Sequence, residues 1–347
     1  MSNFLYSRMI DKNEPLYGKF AAPIRAFIED ESDKQEKNKT ILNVLYNVEK
    51  SDRFAESVVS EGGFGMFMAK EEGQRAENMG ISGGYRKVVE HITFAGEFSI
   101  TKEMADDSKL GLATEVKNRP RKFVRAYYRT QVRSAAKALI NGTKSEMTFN
   151  KAKVDLTTGD GKPLFSNEHP YSSDSMKGKK QSNYFYGNIT GDLQSFEKAL
   201  NTLANKMRNF KDENGETMGY VADTLIIPCN RPNLEMMAKQ ICGSENTTGS
   251  GDNQINTQYG NWTLVVLDEW ETEDDRFMIM SSDANKDLMG NLFFNRVPLD
   301  IVSEVDRSTR DLCINGYARW GLGFSTWKHM ALAVNSESTV SGATALA

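Results

Sequence analysis

The stretch EVKNRPRKFVRAYYRTQVRSAAKALIN, Glu115–Asn141, decides the interpretation of this fold. Its apolar residues recur at steps of three and four, the spacing of a helix that buries one face, and they are Val124, Tyr128, Val132, Ala135 and Leu139. A helix of this length would measure roughly 40 Å at about 1.5 Å per residue. Because that is longer than a small domain is wide, we expect the helix to act as a strut.

The same helix carries a cation at every fourth position, which places successive charges one turn apart on neighbouring surface. We call this set the basic stripe, and its members are Arg121, Arg125, Arg129, Arg133 and Lys137. Like charges at this spacing repel one another, so a counter-charge is expected. The alternatives are pairing with acidic segments or a neighbouring subunit, contact with a polyanion such as packaged nucleic acid, and plain solvation. The acidic candidates are Glu29, Asp30, Glu31, Asp33, Glu36, Glu71, Glu72 and Glu77.

The residues before this helix are predicted to form appendages. Residues 1–58 are polar, with short helical pieces predicted at Pro23–Glu29 and Thr40–Lys50, and they resemble an arm. Seven glycines lie between Gly62 and Gly84, and Tyr85–Ile100 then alternates apolar and polar residues, with a break at Ala95-Gly96. This pattern indicates a long two-stranded loop. A lone hairpin is marginal in water, so the loop needs a partner surface.

The second half of the chain alternates predicted helices and strands. A second amphipathic helix is predicted at about Gly191–Asn209, and the apolar run Thr224–Pro228 predicts a strand covered on both faces. The further predicted elements are helix Asn233–Ile241, strands Trp262–Leu267, Phe277–Met280, Leu292–Phe294 and Leu299–Glu304, helix Asp306–Gly316 and strand Gly323–Val334. Strands interleaved with helices in this way indicate an α+β fold.

The bulk composition excludes several classes of protein. Among 347 residues, 43 Lys and Arg face 47 Asp and Glu for a net charge of −4, so no global field would draw the chain to nucleic acid. The three cysteines are odd in number and widely spaced, which argues for buried thiols in a reducing compartment. No apolar run approaches the roughly 20 residues that span a bilayer, so a protein made in a cytoplasm is expected, without a membrane partner.

Catalytic chemistry finds little support in the sequence. The three histidines His91, His169 and His329 are scattered, and a hydrolytic role for His169 would need a contact with Cys229 or Cys242. An acidic cluster could hold calcium or magnesium but lacks the spacing of a calcium loop, and its members are Asp268, Glu269, Glu271, Glu273, Asp274 and Asp275. A metal-dependent hydrolase using these acids stays a minor alternative. No catalytic residue, cofactor or metal site is predicted.

Four phrases in the chain resemble one known family. They are LFSNEHPYSS at Leu164–Ser173, ADTLIIPCNRPNLEMMAKQI at Ala222–Ile241, GNWTLVVLDEW at Gly260–Trp270 and EVDRSTRDLCINGYARWGLGFSTWKHMALA at Glu304–Ala333. Together with the order of arm, glycine-rich loop and long helix, they resemble major capsid proteins of tailed bacteriophages with the fold named for phage Hong Kong 97. The similarity is nearest to the Mu-type major head subunit branch.

The resemblance implies a division of the chain. It implies an N-terminal arm at 1–58, an extended loop at 59–104 lying over an adjacent subunit, and an axial domain at 215–300. The peripheral domain would comprise 105–214 and 301–347, with the spine helix at 115–141. A shell subunit that forms pentamers and hexamers around a double-stranded DNA genome is therefore expected.

The resemblance also implies partners and a location. The partners would be copies of the chain itself, a portal, a decoration protein and packaged DNA contacted non-specifically on the inner face. Because too few residues precede Gly62 for the cleaved scaffolding segment of the founding member, a separate scaffolding protein is expected. The chain would assemble in the cytoplasm of a bacterial host and end in the virion, and no covalent cross-links are predicted. An encapsulin-like compartment that holds enzyme cargo is the alternative within the fold.

Overall fold

A computed structural model describes residues 4–8, 18–37, 40–61, 67–76, 83–107, 114–172, 177–245, 256–336 and 338–346. Within these residues the helices are α1 Gly18–Lys37, α2 Thr40–Leu45, α3 Lys102–Asp107, α4 Thr114–Ile140, α5 Leu193–Arg208, α6 Pro232–Gly243 and α7 Ser282–Asp287. The strands in the first half are β1 Phe4–Arg8, β2 Asn47–Lys50, β3 Ala55–Glu61, β4 Gly83–Glu90, β5 Ile92–Ile100, β6 Glu146–Phe149, β7 Ala152–Asp155, β8 His169–Pro170 and β9 Lys180–Gln181. Those in the second half are β10 Tyr184–Gly187, β11 Thr224–Pro228, β12 Thr263–Leu267, β13 Arg276–Met280, β14 Asn291–Val305, β15 Leu312–Phe324, β16 Met330–Asn335 and β17 Thr344–Ala345. The predicted α+β class is confirmed.

The first sheet is built on two long antiparallel strands, β14 and β15, with β5 on the outer side of β15. On the other edge, β1 and β2 both pair with β14 in parallel, β2 beside its first half and β1 farther along. The sheet packs beneath α4, where Trp320 of β15 stacks on Phe94 of β5 with ring centroids 4.0 Å apart. Residues that are far apart in the sequence therefore form one layer with the long helix.

The second sheet has the order β12-β11-β13-β16-β10-β17. Its strand β11 is TLIIP, buried at every position as the uniformly apolar pattern predicts. Helix α5 packs on this sheet, and Phe196 of α5 meets Phe277 of β13 edge to face at 5.3 Å. Strand β16 follows β15 directly along the chain, so the turn at residues 325–329 connects the two sheets.

Helix α4 confirms the helix predicted at Glu115–Asn141. Val124, Tyr128, Ala135 and Leu139 are buried, as the apolar periodicity predicts. The buried surface is wider than one stripe, because α1 covers a second side of the helix through Ile24, Ile28 and their neighbours. The described helices include none that is long and apolar enough to cross a membrane.

A two-stranded ribbon packs against the first sheet, with Val89 buried against Leu292 and Phe294. Strands β3 and β4 pair antiparallel, from Ala55 opposite Glu90 to Glu61 opposite Gly83. The break predicted at Ala95-Gly96 is wrong, because β5 continues through these residues paired with β15, and the strand is interrupted at His91 instead. Beyond the paired strands, residues 67–76 are exposed throughout and contain a turn at residues 72–73. Among the described strands, β3 and β4 of the ribbon therefore pair only with each other.

Several predicted elements differ from the structure in kind or in extent. The helix predicted at Asp306–Gly316 is a turn followed by β15, because Asp306 caps the turn by accepting hydrogen bonds from the backbone N–H groups of Ser308 and Thr309. The short helix at Pro23–Glu29 extends over all of α1, which its packing on α4 stabilises. The helix predicted at Thr40–Lys50 ends at Leu45, and the remaining residues form β2 by pairing with β14.

Candidate functional site

The first two arginines of the basic stripe hold α1 on α4. Arg125 donates from Nε and an Nη atom to both carboxylate oxygens of Glu31, at 2.6 and 3.2 Å. Arg121 contacts Asp30 at 3.4 Å and lies over the ring of Phe27 at 4.9 Å. The side chain of Glu31 is only 2% exposed, and the hydrogen bonds from Arg125 are the main cause of its lowered pKa. Acids of the chain itself therefore supply part of the expected counter-charge.

The remaining members of the stripe have different surroundings. Arg133 donates from Nε to Oε1 of Glu269 at 2.5 Å, which joins α4 to the turn after β12. Lys137 lies over the ring of Phe149 at 5.8 Å. Arg129 is exposed and forms no ion pair with any residue that the structure describes. Arg129 is thus the member whose charge is most available to another molecule.

A groove of about 410 Å³ runs beside these arginines. Its lining residues come from α1, α2, α4 and the turn after β12, and they include Gln35, Ile41, Tyr128, Arg129 and Asp268. Both signs of charge line the groove. Within the described residues, the stripe is therefore divided between three arginines in ion pairs and two exposed cations, Arg129 and Lys137.

The structure places the predicted acidic counterparts of the stripe in different surroundings. Asp30 and Glu31 pair with the stripe, while Glu29 and Asp33 are exposed on α1. Glu71 and Glu72 are exposed beyond the ribbon, far along the chain from α4. The side chain of Glu36 and the whole of Glu77 lie outside the described residues. Glu269 was not predicted as a partner, because the sequence presents it only as part of an acidic run.

The acidic cluster at 268–275 forms ion pairs within the protein. Besides Glu269, Asp274 pairs with Arg276 at 3.0 Å, and Asp275 accepts a hydrogen bond from Thr190 at 2.8 Å. In the described part of the chain, no group of three or more His, Cys, Asp or Glu side chains is arranged to hold a metal ion. The geometry does not assemble the centre that a metal-dependent hydrolase would need.

The Cys–His arrangement is not formed. His169 is fully buried between Asp160, 2.7 Å from Nδ1, and Asn183, 3.2 Å from Nε2. The thiol of Cys229 donates instead to the backbone oxygen of Asp268, and burial raises its pKa. Burial also raises the pKa of Cys242 to about 11, which disfavours a thiolate nucleophile.

The end of the ribbon farthest from β5, at Gly83–Tyr85, is held by a polar cluster that sequence reasoning missed. Lys328 and Glu213, both nearly buried, form an ion pair of 2.7 Å, and Glu213 also accepts from the backbone and hydroxyl of Ser172. The same Ser172 hydroxyl lies 3.0 Å from the backbone oxygen of Gly83, and the hydroxyl of Tyr85 donates to the backbone oxygen of Tyr171. The paired strands are therefore tied to the body at the end away from β5, whereas residues 67–76 are exposed.

Comparisons with known proteins address the fold. Residues 85–335 match the model of a family described as phage capsid protein, which is well over half of the chain. The capsid of a native GTA particle superimposes with a TM-score of 0.50 at 14% identity, covering 86% of this chain and 90% of that chain. The capsid of cyanophage P-SCSP1u gives a TM-score of 0.50 at 9% identity, covering 86% and 88%. A search among curated proteins finds no match.

Proposed function

Because the chain belongs to the phage capsid protein family and is a major capsid protein that forms the phage head, we propose that it does so by self-association into pentamers and hexamers of an icosahedral shell around double-stranded DNA. The observation that carries this proposal is the ribbon. Its far end places ten consecutive residues, 67–76, in solvent, including Phe67 at 93% and Met68 at 74% exposure. Apolar surface of this kind marks a site of protein contact.

We propose the Hong Kong 97-type division of the chain, within the Mu-type branch. The ribbon with β5 is the extended loop at 59–104, α4 is the spine helix of the peripheral domain, and residues 215–300 form the axial domain. The 27 residues of α4 and the separate sheet around β11 support this division. For residues 1–58 we propose a role that differs from that of a free arm. Because α1, α2 and β2 pack within their own chain, we assign them to bracing the spine helix.

Further partners belong to the same proposal. A separate protein supplies scaffolding, a portal occupies one vertex, and a decoration protein adds to the finished shell. Assembly takes place in the cytoplasm of a bacterial host. Coexpression of the chain with and without its candidate scaffolding protein, followed by sedimentation of the products, tests the first of these partners.

Negative-stain imaging of the purified recombinant chain tests the shell itself. Closed particles or ring-shaped capsomers of five and six copies are the expected result. A chain that sediments as a monomer at every concentration, with or without scaffolding protein, contradicts self-association.

The basic stripe is proposed to meet the packaged genome through Arg129. Lys and Arg side chains that neutralise phosphates release condensed counterions, which favours binding less as the salt concentration rises, so such binding weakens with salt. Arg129→Glu is expected to lower the DNA content of each particle without changing particle yield. Lys198→Glu, on the exposed face of α5, is the matched control. A fall in particle yield at normal DNA content would assign Arg129 to a neighbouring subunit instead.

One observation favours the encapsulin-like alternative. The groove beside Arg129 lies between α1 and α4, where a short segment of an enzyme cargo would fit. Nucleic acid content separates the two functions, because shells that carry protein cargo and no DNA when recovered from bacteria support the compartment. Shells filled with DNA support the phage head.

A further inference from the structure

A cavity of about 300 Å³ opens beside the ribbon, between Tyr85, the loop at residues 211–220, the end of α7 and the turn at residues 325–329. Its volume lies at the lower end of the roughly 300–1,000 Å³ that is usual for ligand sites. Aromatic rings and carboxylates both contribute to its walls. Six of its lining residues are Tyr85, Asp212, Glu216, Tyr220, Asp287 and Trp327.

Two further carboxylates at the cavity have partners within the chain. Asp160 lies 2.7 Å from Nδ1 of His169, and Glu213 pairs at 2.7 Å with Lys328, which also lines the cavity. Asp212 accepts hydrogen bonds from two backbone N–H groups of its own loop, but it forms no ion pair with a described residue. The lining residues therefore carry more negative charge than their own cations compensate.

Glu216 of the loop and Asp287 of α7 are the open carboxylates. Neither forms an ion pair with a described residue, and Asp287 accepts only from the hydroxyl of Tyr220, at 3.1 Å. The cations next along the chain, Lys211 and Lys286, are exposed and do not line the cavity. Two carboxylates are thus available to a ligand.

The tyrosines of the cavity are affected by this negative charge. Burial is the main cause that raises the pKa of Tyr220 to about 12, and Asp287 and Asp283 contribute to the rise. Burial also raises the pKa of Tyr85, again with a contribution from nearby carboxylates. A negative potential beside aromatic rings favours a cation, because ring faces and carboxylates both attract an ammonium group.

The indole of Trp327 provides a second, independent observation. Trp327 is only 3% exposed, and the ring of His169 stacks on it with centroids 4.4 Å apart. The indole N–H groups of Trp320 and Trp262 donate to side chains of the protein, but that of Trp327 has no acceptor among the described residues. This N–H is not sealed from solvent, and the cavity is the open space that Trp327 lines. Because buried polar groups are almost always paired, it indicates a missing acceptor.

We infer that the cavity binds a lysine residue presented by a partner protein. The lysine ammonium group pairs with Glu216 and Asp287, and its methylene chain contacts the rings of Tyr85 and Tyr220. The peptide carbonyl of the same lysine accepts from the indole N–H of Trp327. A lysine residue thus supplies the cation and the acceptor together, whereas an aliphatic amine supplies only the cation. A metal ion fits less well, because no group of three or more His, Cys, Asp or Glu side chains in the described residues is arranged to hold one.

Labelling of the tryptophan indoles with ¹⁵N tests the site, since the chain has only four tryptophans. The signal of Trp327 is assigned by its loss in Trp327→Phe. Titration of the unassembled chain with N-acetyl-lysine N-methylamide is expected to shift this signal and to leave the other three in place. The norleucine derivative, which lacks the ammonium group, and cadaverine, which lacks the carbonyl, are each expected to bind at least tenfold more weakly.

Substitution of the open carboxylates is the second test. Glu216→Gln with Asp287→Asn preserves the size of both side chains and is expected to weaken binding of the lysine probe at least tenfold. Glu103→Gln with Glu304→Gln, two exposed positions on α3 and β14, is the matched control and should leave the affinity unchanged.

Three results would overturn the inference. They are a Trp327 signal that no concentration of the lysine probe shifts, equal affinities in the two double variants, and a norleucine derivative or cadaverine that binds as tightly as the lysine probe. None of them bears on the proposed shell, which negative-stain imaging tests separately.

Discussion

Gly84 lets the two strands of the ribbon approach more closely than a side chain would permit. A Cβ at this position would collide with the backbone oxygen of Ser60, at an irregularity in the pairing of β3 with β4. The neighbouring Gly83 has open space around its Cβ position. The two glycines are one residue apart in the sequence, but only one of them is required by packing.

We therefore expect Gly84→Ala to open the end of the ribbon and Gly83→Ala to be tolerated. Overpacking of this kind costs about 1–3 kcal/mol. Hydrogen exchange of β3 and β4 measures the effect, and protection is expected to fall in the Gly84 variant alone. Equal protection in both variants would show that the ribbon adjusts to the added methyl group.

The buried pair of His169 and Asp160 is a second feature at this scale. The orientation of Asn183 is fixed, since its Nδ2 donates to the backbone oxygen of Leu164 and its Oδ1 accepts from the backbone of Ser166. Its Oδ1 therefore accepts from Nε2 of His169, whose other nitrogen faces Asp160. Burial would raise the pKa of Asp160, but the hydrogen bonds and charge of His169 outweigh it, so that pKa lies below 3.8.

This depressed pKa predicts a pH-dependent contribution to stability. A carboxyl group with a lowered pKa stabilises the fold above its ordinary value of 3.8, and the contribution is lost as pH falls through the folded-state pKa. Asp160→Asn is expected to lower the free energy of unfolding by about 3 kcal/mol at pH 7. Urea unfolding of the unassembled chain should show a constant difference from wild type between pH 7 and 5.

The same difference should narrow below about pH 3.8. The exposed Asp33→Asn on α1 is the control and should follow wild type at every pH. A difference between Asp160→Asn and wild type that stays unchanged down to pH 3 would show that Asp160 stabilises the fold through its shape rather than its charge.

At the scale of elements, the position of α1 on α4 depends on an ion pair with a buried carboxylate. Arg125 is the cation that faces the buried carboxylate of Glu31, with Gln35 donating to the same carboxylate at 2.8 Å. The hydroxyl groups of Ser32 and Tyr128 lie 2.7 Å apart beside this pair. Removal of the guanidinium would leave the carboxylate buried without a cation, and α1 would have to separate from α4 to hydrate it.

Arg125→Ala is therefore expected to increase hydrogen exchange in α1 several-fold, and Arg129→Ala, one turn along, is expected to leave it unchanged. Both variants remove one arginine from the exposed side of α4, so they differ only in the partner that is lost. Similar exchange in the two variants would mean that apolar contacts alone hold α1.

Elements with a clear local pattern of apolar residues can be predicted from the sequence, whereas elements that depend on contacts with distant residues cannot. Helix α4 follows from periodicity, since its buried residues repeat at helical spacing. Strand β15 has an equally local signal, because Leu312, Ile314, Ala318 and Trp320 alternate along it and are all buried. The helix prediction at this place failed because that two-residue period was overlooked.

Other features depend on contacts that no local pattern contains. The full length of α1 is supported by α4, nearly a hundred residues away, and β2 forms only because β14 is beside it. In the same way, the cations of the stripe are visible in the sequence, but Glu269 lies 136 residues from Arg133. The sequence thus predicts the members of the candidate site more readily than their partners.

At the scale of the whole molecule, the chain separates a buried body from the exposed segment 67–76. The core runs continuously from α1 through both sheets to Leu346, and the ribbon end at Gly83 is tied to the body through Ser172, Glu213 and Lys328. Residues 67–76 contribute no side chain to this core. We therefore expect folding and the proposed association to depend on different parts of one sequence.

Replacement of residues 67–76 by a short Gly-Ser linker should therefore separate folding from assembly. The thermal midpoint of the unassembled chain is expected to stay within a few degrees of wild type, because loop length has only a small entropic effect. Closed shells are expected to be absent by negative-stain imaging, since every copy loses the surface it offers to a neighbour. A large loss of thermal stability would place these residues in the folding unit, and normal shells would assign the contact between copies to another surface.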